Sequence, residues 1–369
     1  MKSMSNPYVG ILVNDSLFAG IPLGKTEYEA IRFYGDAGKQ FGLTPCYFRM
    51  QDVHIEKMKV HAYVQEGRRF KRKWSDLPTV IHNRAIYLDS NSAKILEEWS
   101  ERGLILFNQW NRYSKLHIHE ILMKNERIRP HLPCTYPATL ENMKTMMDTY
   151  YSLIIKPSNS SIGRGVMKLE RQGGLWKLRY PANLKLSNRV WRTIRFRQNL
   201  PLVLRRRINR SSYMIQECLP LATFGGRPFD LRISVQRGAN GEWGVTGVVA
   251  KVASRKHFLT NVAQGGSVKT LTDILAAEYA HLDAEKVCHQ INAFSLLVAG
   301  QLSKELPNLA DLGLDVAMTQ DGMPLFIECN GKDQRYSFRE AKMQECWKAT
   351  YYNPMAYAKF ILGGGTPPC

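Results

Sequence analysis

The stretch Leu314-Asp315-Val316-Ala317-Met318-Thr319-Gln320-Asp321-Gly322-Met323-Pro324-Leu325-Phe326-Ile327-Glu328-Cys329-Asn330 carries a hairpin signal and a set of oxygen-bearing side chains together. Asp-Gly between apolar runs predicts a two-residue type I′ turn, which places Asp315 directly opposite Glu328. Glu328 and Asn330 are two apart and so share a strand face. Facing Cβ atoms on paired strands lie about 4.5–5.5 Å apart, and like charges set opposite one another are unfavourable unless a cation lies between them. An all-oxygen donor set suits Mg²⁺ rather than zinc. The alternative, that Asp315 and Glu328 pair with some of the chain's many arginines, stays open on this segment alone.

A second hairpin repeats the pattern. A turn centred on Asn240-Gly241 sets Asp230 against Lys251 and leaves Arg232 on the same face as Asp230. One bulge along so long a register would break this pairing. Where it holds, two cations and a carboxylate share a face suited to a polyphosphate; an ordinary cross-strand ion pair is the alternative. Upstream, Leu153-Ile154-Ile155-Lys156-Pro157 reads as a strand ending in a lysine. The loop after it, residues 158–165, is small and polar. Its Gly163 and Gly165 can take positive φ and bring backbone N–H groups toward an anion, although a plain hairpin connection has the same composition.

The rest of the chain supplies the frame. Residues 8–13, 43–48 and 79–82 read as strands, 26–41 as a helix, and 60–73 as a hairpin around Glu66-Gly67, so an α/β domain with a largely parallel sheet is expected first. The stretch Gly20-Ile21-Pro22-Leu23-Gly24-Lys25-Thr26 resembles a P-loop. It has three residues between its glycines where four are needed, and Pro22 removes an N–H, so a turn is the better reading. Helices are expected over 114–125, 140–150, 271–277 and 284–306, and further strands over 166–170, 213–216, 231–236 and 243–252. Residues 164–210 hold fourteen Lys or Arg and a single acid, Glu170.

Composition narrows the classes. The 369 residues allow two or three domains, and 44% hydrophobic with 22% charged residues is that of a folded globular protein rather than a fibre or a disordered tail. A net charge of +19 favours anionic partners without choosing among them. No apolar run approaches the roughly 20 residues of a membrane span, and Met1-Lys2-Ser3-Met4-Ser5-Asn6-Pro7 lacks the apolar stretch of a secretory signal. A soluble cytoplasmic protein with no membrane partner is expected. The seven cysteines are scattered with no C-x-x-C pair, and His117 and His119 have no further ligand near them, so neither disulfides nor zinc are expected.

Taken in order, these segments resemble the ATP-grasp superfamily and, within it, the YheC/YheD family of endospore coat-associated proteins. The residues that carry the resemblance are Leu77-Pro78-Thr79-Val80-Ile81-His82-Asn83-Arg84, Asn111-Arg112-Tyr113-Ser114-Lys115, Lys156 to Gly165, Gln216-Glu217, Gly226 to Arg232, Asn261 to Gly266, and Asp315 with Glu328-Cys329-Asn330. The fold class it implies is α/β with α+β character: an N-terminal α/β domain (1–110), a small central ATP-grasp subdomain (111–218) and a C-terminal subdomain with the metal site (219–369). Lys115 and Lys156 would hold the ATP phosphates, with Ser160, Ser161, Gly163 and Gly165 in the loop closing over them. Gln216, Glu217, Cys218 and Leu219 would form the hinge that reads adenine. Arg232 would neutralise the transferring phosphoryl group, with Lys251, Asn261 and Asp230 nearby. Asp315, Glu328 and Asn330 would hold two Mg²⁺ ions, with Mn²⁺ as an alternative, Glu328 bridging them.

The activity implied is that of an ATP-dependent carboxylate–amine ligase working through an acyl phosphate on an amino acid or peptide. A phosphotransferase acting on a hydroxyl uses the same ATP site, and a non-catalytic basic spore-surface or nucleic-acid binding protein is the third reading; nucleic acid is disfavoured as a partner. Spore association of a cytoplasmic protein is implied by the resemblance alone. The chain departs from the family pattern after Asn330: Asp333 and Gln334 stand where Pro and Gly are common, on the second-substrate side, and Lys251 replaces a family arginine.

Overall fold

The computed structural model describes residues 6–160, 163–183, 190–254, 260 and 265–366, which form three sheets. The first is built from β1 (Tyr8–Leu12), β2 (Thr44–Phe48), β3 (Val53–His54), β4 (Lys59–Glu66), β5 (Arg69–Asp76), β6 (Val80–Asn83) and β7 (Ile105–Phe107), with α1 (Asp15–Gly20), α2 (Ile31–Phe41) and α3 (Ser90–Glu101) between them. Its order is β3-β4-β2-β1-β6-β7, with β5 paired to β4. β2, β1, β6 and β7 are parallel, which gives the expected α/β layer, and the hairpin side is antiparallel. The helix predicted over 26–41 begins only at Ile31, because Glu27 sits at φ 50°. The P-loop-like stretch is a turn: Gly20 ends α1 and its carbonyl accepts from the Lys25 amide.

The second sheet is antiparallel, in the order β12-β11-β10-β9-β13-β8. In chain order its span runs α4 (Lys115–Met123), β8 (Thr135–Pro137), α5 (Leu140–Thr149), β9 (Ser152–Pro157), β10 (Met167–Gln172), β11 (Leu175–Pro181), β12 (Trp191–Phe196), α6 (Leu202–Arg210) and β13 (Tyr213–Glu217). Alternation puts Leu153, Ile155, Leu169, Leu178 and Ile215 on one face, where they bury against Met143 and Met146 of α5 and Leu204 of α6. The opposite face carries Ile154 and Lys156.

The third sheet has the order β17-β16-β15-β18-β19, with β14 paired to β15. Its elements are β14 (Thr223–Phe224), β15 (Arg227–Arg237), β16 (Trp243–Val252), β17 (Ser267–Lys269), α7 (Leu271–Glu278), α8 (Ala284–Ser303), β18 (Asp311–Met318) and β19 (Pro324–Asn330), followed by α9 (Tyr336–Glu340) and α10 (Gln344–Leu362). Leu231, Ile233, Leu312, Leu314 and Val316 pack under α8 and under Ile118, Ile121 and Leu122 of α4, so α4 belongs to this core although it precedes the second sheet. α10 closes the molecule, joining Tyr351, Met355 and Ala358 to Val9, Ile11 and Tyr34 of the first layer.

Both predicted site hairpins form with the expected opposite pairs, Asp230 to Lys251 and Asp315 to Glu328. The turns are not the two-residue type. Each loop has three residues, closed by Gly238 to Glu242 and by Thr319 to Met323, with Gly241 and Gly322 left-handed at φ 77° and 87°. A single extra residue in the second strand of each, Thr246 and Ile327, then shifts the register back. The two offsets cancel at the site.

Candidate active site

The polar face of the third sheet is assembled by strand register. Lys251 lies opposite Asp230, Arg232 opposite Asp315, and Asp315 opposite Glu328. Five charged side chains are therefore neighbours across β16, β15, β18 and β19. Asp315 joins them: its Oδ1 is 2.8 Å from Lys251 Nζ and 3.0 Å from Arg232 Nε, while Arg232 Nη2 donates to its Oδ2 at 3.2 Å. Lys251 also reaches Asp230 Oδ1 at 3.0 Å, and Thr260 Oγ1 donates to Asp230. Burial pushes the Asp315 carboxyl up, but Arg232 and Lys251 outweigh it and hold the group below the usual range. For Asp230 burial prevails, and its pKa is raised in spite of Lys251.

Sequence reasoning passed over one member of this group. Asp333, fully buried in the loop after β19, places Oδ1 3.3 Å from Arg232 Nη1 and accepts from Ser234 Oγ. Arg232 is thus held between two carboxylates. Room for Asp333 exists because residue 313 is glycine: a Cβ there would lie 2.4 Å from Asp333 Oδ1. The only signal in the sequence was that an acid replaces the proline common at this point in the family.

The open face of the second sheet looks onto these residues. Lys156, at the end of β9, is 7% exposed, and its pKa is lowered to about 8 by burial first, with Glu328 opposing and Lys115 adding to the effect. Among the described residues its ammonium has no hydrogen-bonding partner. Lys115 opens α4; its Nζ is 3.3 Å from Glu328 Oε2 and donates to the Ser160 carbonyl. Gly163 and Gly165 lie at φ 62° and 79°. A Cβ at Gly165 would lie 2.9 Å from Pro157, so the loop folds back on its strand only with glycine there. At the far end Gln216 Nε2 donates to Thr135 Oγ1 at 2.8 Å, and the Glu217 and Cys218 amides donate to Cys134 and Ser152. The Cys218 carbonyl and the Leu219 amide have no partner among the described residues, which leaves an acceptor and a donor side by side. Ser161 and Asn261 lie outside the described residues.

Between the sheets is a cavity of about 460 Å³, within the size range of small-molecule sites, bounded by Ile154, Lys156 and Met214 on one side and Arg232, Asp315 and Phe326 on the other. Ser160, Gly163 and the hinge residues 216–219 also line it, as do Lys115, Asp230, Lys251, Glu328 and Asn330. Gly165 does not. Among the described residues no three His, Cys, Asp or Glu side chains form a metal cluster. The donors available to a cation are the facing carboxylates of Asp315 and Glu328 and the side-chain oxygen of Asn330, all three lining the cavity. That set fits a hard divalent cation in its chemistry.

An antiparallel sheet bearing Lys156 closes with the third sheet on one charged cavity, and the fold is that of ATP-grasp proteins. The chain belongs to the YheC/D-like ATP-grasp family, whose model matches residues 103–361. It is 22% identical to the endospore coat-associated protein YheD of Bacillus subtilis (strain 168) over 330 residues, 85% of this chain and 70% of that protein. Solved structures with the fold include the VanG D-Ala:D-Ser ligase of Enterococcus faecalis (TM-score 0.52, 10% identity, 96% of this chain and 99% of that one). The ATP-grasp ligase PsnB complexed with a minimal precursor is similar to the same degree (TM-score 0.52, 12% identity, 95% and 98%). No helix among the described residues is long and apolar enough to cross a membrane.

Proposed function

We propose that the chain is an ATP-dependent carboxylate–amine ligase with its nucleotide in the cavity between the second and third sheets. One observation carries the reading: Lys115, Lys156, Arg232 and Lys251 face one cavity together with Asp315, Glu328 and Asn330. Phosphoryl transfer asks for positioning and charge neutralisation more than covalent chemistry from the protein. Lys156 of β9 and Lys115 at the start of α4 hold the phosphates, beside the loop that includes Ser160, Gly163 and Gly165. The Cys218 carbonyl and Leu219 amide meet the adenine edge, with Gln216 and Glu217 beside them. Asp315, Glu328 and Asn330 would hold Mg²⁺, which supplies Lewis-acid neutralisation of phosphate charge.

Arg232, fixed by Asp333, stands where charge grows as a substrate carboxylate oxygen attacks the γ-phosphorus and ADP leaves. Lys251 completes that side. An amine then attacks the acyl carbon and phosphate departs. The solved proteins of the same fold, a D-Ala:D-Ser ligase among them, support ligase chemistry, and the curated relative YheD supports a spore-associated setting. We further propose that the units meet near residues 110 and 218, with α4 of the central span packed on the third sheet.

The experiment is ADP release from ATP and Mg²⁺ against a panel of amino acids and short peptides, with product analysis. Release that requires both a carboxylate and an amine is expected. A stable phosphorylated product with no need for an amine would replace the ligase by a kinase at the same ATP site.

A further inference from the structure

Most basic residues of the stretch 164–210 have no part in the chemistry above, and strand register shows where many of them go. Lys168 and Glu170 of β10, Lys177 and Arg179 of β11, and Thr193 and Arg195 of β12 share the sheet face that carries Ile154, away from α5 and α6. On this face Lys168 stands directly opposite Arg179, and Lys177 directly opposite Arg195. Cations placed opposite one another destabilise a sheet unless an anion lies over them. Glu170, the one acid of the stretch, offsets one of these four charges by pairing with Lys168 at 2.7 Å and lies opposite Lys177, and Arg179 stands over the Trp191 ring. Among the described residues Lys177, Arg195 and the exposed Arg197 just beyond β12 make no ion pair.

The face is continuous with the cavity. One row across the sheet runs Gln216, Ile154, Lys168 and Arg179, and its first three members line the cavity wall. An anionic chain lying on β10–β12 would therefore lead directly to the phosphate side of the site. Same-face residues of a strand are about 6.6–6.8 Å apart, the spacing of alternate side chains in an extended peptide. Single-stranded nucleic acid would answer the charge too, but it is held on several stacked aromatic side chains. Trp191, beside Arg179, is the one aromatic residue of these strands on this face among the described residues.

We propose that the open face of β10–β12 docks an acidic polypeptide segment and leads one of its carboxylates into the ATP site. The placement beside the cavity rests on the ligase reading; the docking itself does not. The test titrates fluorescent poly-glutamate and single-stranded DNA of matched charge into the full chain by anisotropy, at low and moderate salt. The parent is compared with a Lys177→Glu, Arg195→Glu, Arg197→Glu variant, none of whose positions lines the cavity, and with Lys177→Ala, Arg195→Ala in case the reversal impairs folding. Each sample is also melted with and without ATP and Mg²⁺.

The parent is expected to bind poly-glutamate more tightly than DNA, with affinity falling as salt rises. The reversal should weaken it by about tenfold or more, as like charges face the ligand, and leave the ATP-dependent shift in place. Absence of poly-glutamate binding, equal binding by parent and variants, or tighter binding of DNA overturns the proposal. Poly-glutamate binding without any ATP response would support the docking surface and overturn the nucleotide reading, so the two failures are told apart.

Discussion

Lys156 faces the cavity with an ammonium that burial has made easy to deprotonate, its pKa standing at about 8 against an ordinary 10.5. Below that pH it is charged and holds phosphate; above it the charge is lost. ATP affinity is therefore expected to fall as pH rises through 8, and Lys156→Arg, which stays protonated, should flatten the profile; calorimetric titrations across pH check this. For the free protein the sign is reversed. Between about 8 and 10.5 the unfolded chain binds the extra proton, so this lysine's contribution to stability improves as pH rises through that window. The facing carboxylates differ in what they hold. Asp315 neutralises buried Arg232 and Lys251, whereas Glu328 is more exposed and pairs with Lys115. Asp315→Asn is expected to cost about 3–5 kcal/mol by leaving buried cations uncompensated, and Glu328→Gln no more than about 1 kcal/mol. Both should lower ATP turnover by about a hundredfold or more. Urea titration beside a turnover assay separates the two effects, and equal stability losses would count against the pairing described.

The site hairpins show how much of the element scale was legible. Alternation and the Asn-Gly and Asp-Gly signals placed the correct residues opposite one another, yet the turn type was misread, because those dipeptides serve three-residue loops as well as two-residue ones. The compensating bulge has a physical cause that only burial reveals. Without Ile327 out of register, Glu328 would fall opposite Leu314, on the apolar face beneath α8. Asp333 was not legible as an anchor, since its path depends on packing far away in sequence: Gly331 runs against Asn111, where a Cβ would lie 2.6 Å from its Cα, and Gly313 leaves the space that Asp333 fills. The loop glycines give a direct test. Gly67, at φ 61° with open space around it, should lose about 1–2 kcal/mol on change to Ala from backbone strain alone. Gly322→Ala should lose about 1–3 kcal/mol more, since its Cβ would lie 2.8 Å from Val287. Equal losses in denaturant titrations would mean that the turn does not pack on α8 as described.

Across the whole molecule, the first layer and the third sheet are joined by buried charge. Arg84 reaches Glu29 at 3.0 Å and Asp311 at 3.4 Å, and Arg335 joins both from the loop after Asp333. Burial pushes the Glu29 carboxyl up, but Arg84 and Arg335 prevail and hold it at about 2. Its stabilising contribution is complete above pH 4.5 and is lost as pH falls toward 2. His82, 3.2 Å from Asp311, is driven down to about 4 by burial, so stability already begins to fall below pH 6.5, where the unfolded histidine takes a proton. Acid unfolding is expected to start gently below pH 6.5 and steepen below 4.5. Arg335→Met, which strips Glu29 and Asp311 of a cation, should cost about 3–5 kcal/mol and move the transition to higher pH; circular dichroism across pH reads both. The claim on which the functional account depends is that the second and third sheets close on ATP, with Lys156 at its phosphates. Thermal unfolding with ATP and Mg²⁺ tests it most directly. At a hundredfold excess over Kd the ligand should add about 2.7 kcal/mol, raising the parent's melting temperature by several degrees while leaving Lys156→Ala nearly unmoved at the same concentration. A folded parent that melts at the same temperature with and without ATP and Mg²⁺ would contradict it.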